Sequence, residues 1–129
     1  MTDPARVLVA DDQAPFRTAV RRLLARCADL QIVGEAADGA EAVRLVEALA
    51  PDLVLLDVRM PELDGPGAAS VIRERFPGVV VVLCSSHGAD DVPEHSVPFV
   101  AKELLTADVL RDVLAAARAA AGRTSPPST

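Results

Sequence analysis

The sequence predicts an α/β protein, a doubly wound parallel sheet of five strands with helices on both faces. Short apolar runs rich in β-branched residues are typical of strands that are buried on both faces. They occupy residues 7–10, 53–56 and 79–83, with a weaker run at 32–33 and a short one at 99–101. Helical patterns lie between these runs, and strands that alternate with helices indicate right-handed βαβ units.

Four segments have helical periodicity. In residues 16–27 apolar side chains recur at intervals of three and four while arginines take the opposite side, which is the pattern of an amphipathic helix. Further helices are predicted at about residues 40–49, 67–75 and 107–121, with Asp38 and Thr106 as helix-opening residues and Gly122 just past the last helix.

The segment from Gly88 to Pro98 leaves room for only one or two helical turns, because it contains Pro93 and Pro98. We therefore expect a shortened fourth helix. His87 and His95 lie in or beside this polar stretch, and we interpret them as surface residues rather than ligands.

Five βα units in a chain of 129 residues favour the flavodoxin-like strand order 2-1-3-4-5. Such sheets bind ligands beyond the carboxyl ends of the strands where the order reverses, here between the first and third strands. We expect one domain over residues 1–122 and a disordered tail over 123–129, which contains Ser-Pro-Pro-Ser.

The composition argues against nucleic-acid and membrane partners. The net charge is −6 and aromatic residues make up 2% of the chain, so both a phosphate-backbone footprint and a base-stacking surface are disfavoured. We see neither a run of about 20 apolar residues nor a signal peptide, and we expect a cytoplasmic protein. Cys27 and Cys84 lack redox or metal spacing and are interpreted as reduced, buried thiols.

Polar residues follow four of the predicted strands. Asp11 and Asp12 follow the first strand, Asp57 the third, Ser85 the fourth, and Lys102, the only lysine, the fifth. Because the carboxyl ends of parallel strands meet at one edge, we expect these side chains to converge. Three crowded carboxylates need a cation, and an oxygen-only cluster favours Mg²⁺.

This set of residues is suited to phosphoryl chemistry. Mg²⁺ is usually bound by one or two carboxylates together with a substrate phosphate, and Lys102 and Ser85 offer a positive charge and a hydroxyl to phosphoryl oxygens. Asp57 ends the central apolar strand, so we expect its carboxylate to attack phosphorus and form an acyl phosphate.

The sequence resembles the receiver domain of bacterial two-component response regulators. The likeness covers about residues 6–121 and rests on Asp11-Asp12, residues 55–65, Ser85 and Lys102. Residues 7–13 and 16–24 are most similar to receivers of the NarL/LuxR type, although no DNA-binding output domain follows in this sequence.

The resemblance implies partners and a metal. Asp57 would accept the phosphoryl group from a histidine kinase or a phosphotransfer protein, and the chain would signal to an unknown downstream protein by conformational switching. A homodimer is also compatible with this family. Asp12, Asp57 and the carbonyl of Arg59 would hold Mg²⁺, with Asp11 acting through water. In this interpretation the chain is not an enzyme and catalyses only its own phosphorylation and dephosphorylation.

The resemblance also implies a switch. Lys102 would pair with the phosphoryl group, Ser85 would move to hydrogen-bond it, and Phe99 would turn inward when Ser85 moves. The register of the switch residue stays open by one position, so that Cys84 or Ser86 are alternatives to Ser85.

Two rival functions remain. A phosphate-independent pseudo-receiver would signal through its helical faces, but its hallmark would be a lost acid or lysine, and none is lost. A haloacid-dehalogenase-like phosphatase also uses a strand-end Asp with Mg²⁺, but it needs a second Asp two residues after the nucleophile, where this chain has Arg59.

Overall fold

The computed structural model describes residues 3–86 and 97–123, and it confirms the predicted sheet. Five parallel strands lie in the order β2-β1-β3-β4-β5. The strands are β1 Ala5–Ala10, β2 Leu30–Ala36, β3 Leu53–Asp57, β4 Val80–Ser85 and β5 Phe99–Ala101. The order reverses between β1 and β3, so a site is expected at their carboxyl ends.

The helices cover both faces of this sheet. They are α1 Ala14–Ala25, α2 Gly39–Leu49, α3 Gly65–Arg75 and a last helix, Ala107–Arg123, which follows a 3-10 turn at Lys102–Leu104. Among the described helices, none combines the length and the apolar character that a membrane span requires.

Helix boundaries follow capping groups. Asp38 accepts a hydrogen bond from the Glu41 amide at 2.7 Å, and Thr106 Oγ1 accepts one from the Val109 amide at 3.1 Å, so both predicted caps are confirmed. Helix α3 begins two residues earlier than predicted because Asp64 caps it, accepting from the Gly67 amide at 2.8 Å. The last helix continues through Gly122, where an end was predicted.

Some predictions lie outside the described residues. The shortened fourth helix falls mostly on residues 87–96, which also include His87 and His95, and the tail falls on 124–129.

Two apolar layers enclose the sheet, and alternate strand residues enter each of them. The first layer, which we name the α1 face, holds helix residues such as Leu24 of α1 and Leu110 of the last helix. The second, the α2–α3 face, holds residues such as Val46 and Ile72. Strand residues on the α1 face include Val9, Leu55, Val82 and Val100, and those on the α2–α3 face include Leu8, Leu56 and Leu83. This alternation fixes the side on which each strand-end residue projects.

A glycine fixes the end of β3 against the start of α3. The Gly65 amide donates to the Val58 carbonyl at 3.0 Å. A Cβ atom at this position would collide with the Asp57 carbonyl oxygen and the Val58 Cα. Any larger residue would therefore displace the loop that follows Asp57.

Candidate functional site

Three carboxylates meet at the carboxyl edge of the sheet. Each of Asp11, Asp12 and Asp57 offers one oxygen, and these oxygens all lie within 4.8 Å of one another. Asp11 is completely buried and Asp57 is 8% exposed, whereas Asp12 is exposed. The sequence therefore predicted correctly that these three residues converge.

Strand register explains this convergence. Ala10 pairs with Leu56 across β1 and β3, so the next residues along the two strands, Asp11 and Asp57, emerge side by side. Each of them also stands two residues beyond a strand residue of the α1 face, Val9 and Leu55 respectively. Both carboxylates consequently project toward the same side of the sheet.

Lys102 reaches the same cluster from the end of β5. Its Nζ lies 2.6 Å from Asp11 Oδ2 and 3.5 Å from Asp57 Oδ1, and the side chain is 15% exposed. The ammonium also lies over the ring of Phe16, 4.4 Å from its centroid, within the range of a cation–π interaction. The prediction that the only lysine joins the carboxylates is confirmed geometrically.

The cluster has an excess of negative charge, which shifts proton affinities. Burial, followed by repulsion from Asp11, raises the pKa of Asp57 to about 6, although Lys102 acts in the opposite direction. Burial alone would lower the pKa of Lys102, but hydrogen bonding and attraction from Asp11 and Asp57 outweigh it, so the pKa is raised. Lys102 therefore stays charged, while Asp57 is ionised only at the expense of folding free energy.

Asp11 shows where a cation would be accommodated. Its Oδ1 accepts from the Gln13 amide at 2.8 Å. Its buried Oδ2 lies 2.6 Å from Lys102 Nζ and has no further hydrogen-bond partner among the described residues. A buried carboxylate oxygen with spare acceptor capacity, beside Asp12 and Asp57, matches the oxygen ligands of a hard divalent cation. The residues present thus fit Mg²⁺.

An open cleft of about 600 Å³ adjoins these carboxylates. Its lining consists of residues on the loop after β3 and the start of α3, together with Asp12: Asp12, Val58, Arg59, Met60, Pro61, Asp64 and Pro66. The loop is anchored at its start, because the Val58 amide donates to the Cys84 carbonyl at 2.9 Å. Of the three carboxylates, Asp12 lines this cleft, and the role predicted for the Arg59 carbonyl stays a prediction.

The residues predicted to form the switch lie on β4 and β5. Ser85 is the last residue of β4 and is 2% exposed, and Phe99 opens β5 and packs against the α2–α3 face. Their movement stays a prediction. Cys84, directly opposite Asp57 in the sheet register, is fully buried, and burial raises the pKa of its thiol to about 12.

Sequence reasoning missed two contacts that support the site. Phe16 was assigned only to the apolar stripe of its helix, although its ring lies under Lys102. Arg17 was assigned to the arginine side of the same helix, but its guanidinium donates to the Asp11 carbonyl at 2.5 Å and pairs with Glu35. Helical periodicity assigns a residue to a face of its own helix, and it contains no signal for a partner on another strand.

Comparisons with known proteins agree with this geometry. The family model described as "Response regulator receiver domain" matches residues 7–118. The nitrate/nitrite response regulator protein NarL of Escherichia coli (strain K12) is 38% identical over 91 residues, covering 70% of this chain and 42% of that protein. The probable transcriptional regulatory protein NarL of Mycobacterium tuberculosis (strain H37Rv) is 34% identical over 121 residues, covering 90% of this chain and 56% of that protein. The chain thus spans about half the length of these relatives.

Solved structures give the same result. The signal receiver domain of NarL from Mycobacterium tuberculosis superposes with a TM-score of 0.79 at 34% identity, covering 91% of this chain and 98% of that one. A two-component response regulator of the LuxR family from Aurantimonas sp. gives a TM-score of 0.77 at 29% identity, covering 88% of this chain and 86% of that one.

Proposed function

This chain belongs to the family of response regulator receiver domains, and from that premise we propose that Asp57 accepts a phosphoryl group from a histidine kinase or a phosphotransfer protein. The chain then signals to a downstream protein through the resulting change in conformation. Residues 1–122 form the signalling unit in this proposal.

One observation carries the proposal: Asp57 is a nearly buried carboxylate held 3.5 Å from Lys102 and beside two further carboxylates. In the reaction, an Asp57 oxygen attacks phosphorus, the bond from phosphorus to the donor atom breaks, and an acyl phosphate forms. With a pKa of about 6, Asp57 is mostly ionised at neutral pH and is therefore available as a nucleophile.

The remaining residues position the group and neutralise its charge. Lys102 Nζ lies close to both Asp11 and Asp57, and it can form an ion pair with a phosphoryl oxygen attached to Asp57. Asp12, Asp57 and the Arg59 carbonyl would hold Mg²⁺, with Asp11 acting through water. When bound, the metal supplies positive charge for the phosphoryl oxygens.

Intact mass spectrometry tests this function. After incubation with phosphoramidate or acetyl phosphate and Mg²⁺, we expect the wild-type chain to gain one phosphoryl group and the Asp57→Asn variant to gain none, because an amide cannot form the acyl phosphate. Asp52→Asn is the matched control, since Asp52 precedes the same strand at its opposite end.

Other outcomes contradict the proposal. Labelling of Asp57→Asn at the wild-type yield would place the phosphoryl group elsewhere. No labelling of the wild-type chain would favour the phosphate-independent pseudo-receiver. Steady hydrolysis of phosphate esters would favour the phosphatase, although Arg59 stands where that family needs a second Asp.

A further inference from the structure

The register of β4 places a thiol, rather than a hydroxyl, opposite the phosphoacceptor. Asp57 pairs with Cys84 across the parallel strands β3 and β4, and Ser85 pairs with Ala101 of β5 one position further on. Neighbouring strands lie roughly 4.8 Å apart, so residues that pair in register have the shortest distances between two strands.

Side-chain alternation separates these two candidates further. Cys84 belongs to the apolar layer of the α1 face, two residues after Val82, and Asp57 follows Leu55 of the same layer. Ser85 is two residues after Leu83, which belongs to the α2–α3 face. Because successive strand residues project to opposite faces, Cys84 shares the side of Asp57 and Ser85 starts from the other side.

The charges around Cys84 are those of the carboxylate cluster. Lys102, Asp57 and Asp11 all act electrostatically on its thiol. In the same cluster, the buried Asp11 Oδ2 lies 2.6 Å from Lys102 Nζ. Cys84 therefore belongs to the same group of charges as the phosphoacceptor.

We propose that the Cys84 Sγ–H, and not the Ser85 hydroxyl, donates the β4 hydrogen bond to the phosphoryl group on Asp57. The inference rests on the proposed function, because it needs a phosphoryl group at Asp57. The sequence left the switch residue open between Cys84, Ser85 and Ser86, and the proposal chooses Cys84. Ser85 is then only the last residue of β4.

This assignment has a chemical consequence. A thiol is a weak hydrogen-bond donor compared with a hydroxyl, whereas a hydroxyl donating to an anionic oxygen forms a strong, charge-assisted bond. A chain with Cys84 at this position binds the phosphoryl group less tightly than the same chain with serine there. Replacing Cys84 by Ser should thus strengthen the response to phosphorylation.

Calorimetric titration with beryllofluoride, a phosphoryl mimic, in the presence of Mg²⁺ tests this order of affinities. Relative to the wild type, we expect Cys84→Ser to bind about fivefold more tightly and Cys84→Ala about threefold more weakly. Ser85→Ala should stay within about twofold of the wild type. Cys27→Ser is the matched cysteine control, because Cys27 lies after α1 and its thiol donates to the Leu23 carbonyl.

A second measurement observes the thiol directly. The chain has two cysteines, so the Cys27→Ser variant carries a single S–H group, that of Cys84. Its S–H stretching band in the infrared should move to lower wavenumber when beryllofluoride and Mg²⁺ are added. This readout does not depend on any loss of packing caused by a substitution at Cys84.

The outcomes separate this inference from the function on which it rests. Two results would overturn the role of Cys84 and leave phosphorylation of Asp57 standing. One is binding of beryllofluoride with an unchanged S–H band. The other is a loss of affinity in Ser85→Ala together with no loss in Cys84→Ala. A wild-type chain that neither binds beryllofluoride nor gains a phosphoryl group would overturn both.

Discussion

Carboxylates at the two edges of the sheet have opposite electrostatic surroundings. At the amino-terminal edge, Asp29 precedes β2 and forms a forked ion pair with Arg111 of the last helix, with distances of 2.7 and 2.9 Å. At the carboxyl edge, Asp11, Asp12 and Asp57 crowd together around a single ammonium group, that of Lys102.

The pKa values of the carboxyl groups differ between the two edges. Hydrogen bonding to Arg111 lowers the pKa of Asp29, whereas burial and repulsion from Asp11 raise the pKa of Asp57 to about 6. This contrast is the one we expect if the carboxyl edge binds a ligand that supplies positive charge, as proposed above, while the amino-terminal edge stabilises the fold.

The largest expected effect comes from exchanging the two kinds of cation. Lys102→Arg should lower the rate of phosphorylation by phosphoramidate at least about 100-fold, because a forked guanidinium does not fit a position between Asp11 and Asp57 that suits a compact charge. The converse exchange at the other edge, Arg111→Lys, should leave the rate within about twofold. Rates measured by intact mass spectrometry check both, and a wild-type rate in Lys102→Arg would remove Lys102 from the site.

Removal of the buried charge of Asp57 should be visible in stability. Asp57 has a folded pKa of about 6 against a usual value of 3.8, so its ionisation lowers the free energy of unfolding by up to about 3 kcal/mol. This loss is absent below about pH 4, develops between pH 4 and 6, and is complete above pH 6. Asp57→Asn should therefore be more stable than the wild type at pH 7.5, with a gain of about 1–3 kcal/mol.

Urea unfolding at pH 4 and pH 7.5, in EDTA, measures this gain. An equal gain at both pH values would mean that packing, not charge, is responsible. A less stable variant at pH 7.5 would contradict the raised pKa itself.

The amino-acid pattern was sufficient to predict the sheet and the convergence of the carboxylates, because both depend on features that can be recognised within short segments. Apolar runs define strands, and the fold rule brings strand ends such as Asp11 and Asp57 to one edge whatever their exact register. The switch position is different, because moving by one residue from Cys84 to Ser85 changes the face of the sheet. Strand pairing determines that choice, and it is set by long-range contacts that a run of valines does not specify.

The helix ends show the same limit on a smaller scale. Helix α3 was expected to begin at about residue 67, but Asp64 caps it and it begins at Gly65. Gly122 was expected to lie past the last helix, which continues to Arg123. Caps depend on which backbone conformation tertiary packing selects, and the residue type alone permits both.

Mg²⁺ should stabilise the carboxyl edge and leave the other edge unaffected. At ten times its dissociation constant, the ion should raise the free energy of unfolding by about 1.4 kcal/mol. The increase should disappear in Asp12→Asn and should diminish below about pH 6, where protons compete for Asp57. Urea unfolding with MgCl₂, against KCl of equal ionic strength, gives the measurement. Full stabilisation in Asp12→Asn would exclude Asp12 as a ligand.

The smallest effect is expected for Asp52, a second carboxylate at the amino-terminal edge. Asp52 Oδ2 accepts a hydrogen bond from the Arg6 amide at 2.7 Å, while the Arg6 guanidinium donates separately to the Leu49 and Ala50 carbonyls. Asp52→Ala removes one acceptor and leaves the guanidinium contacts in place, so the free energy of unfolding should fall by about 1 kcal/mol. Asp52→Asn retains a side-chain oxygen and should lose less.

Neither Asp52 variant should change the stabilisation by Mg²⁺ or the yield of phosphorylation, because Asp52 and Asp57 stand at opposite ends of one strand. Urea unfolding with and without MgCl₂ measures the free energy of unfolding and its increase by Mg²⁺. Intact mass after phosphoramidate treatment of the same samples measures the yield of phosphorylation. A variant that loses Mg²⁺ stabilisation in proportion to its lost unfolding free energy would show that the two edges are energetically coupled through β3. The division between a stabilising edge and a ligand-binding edge would then be wrong.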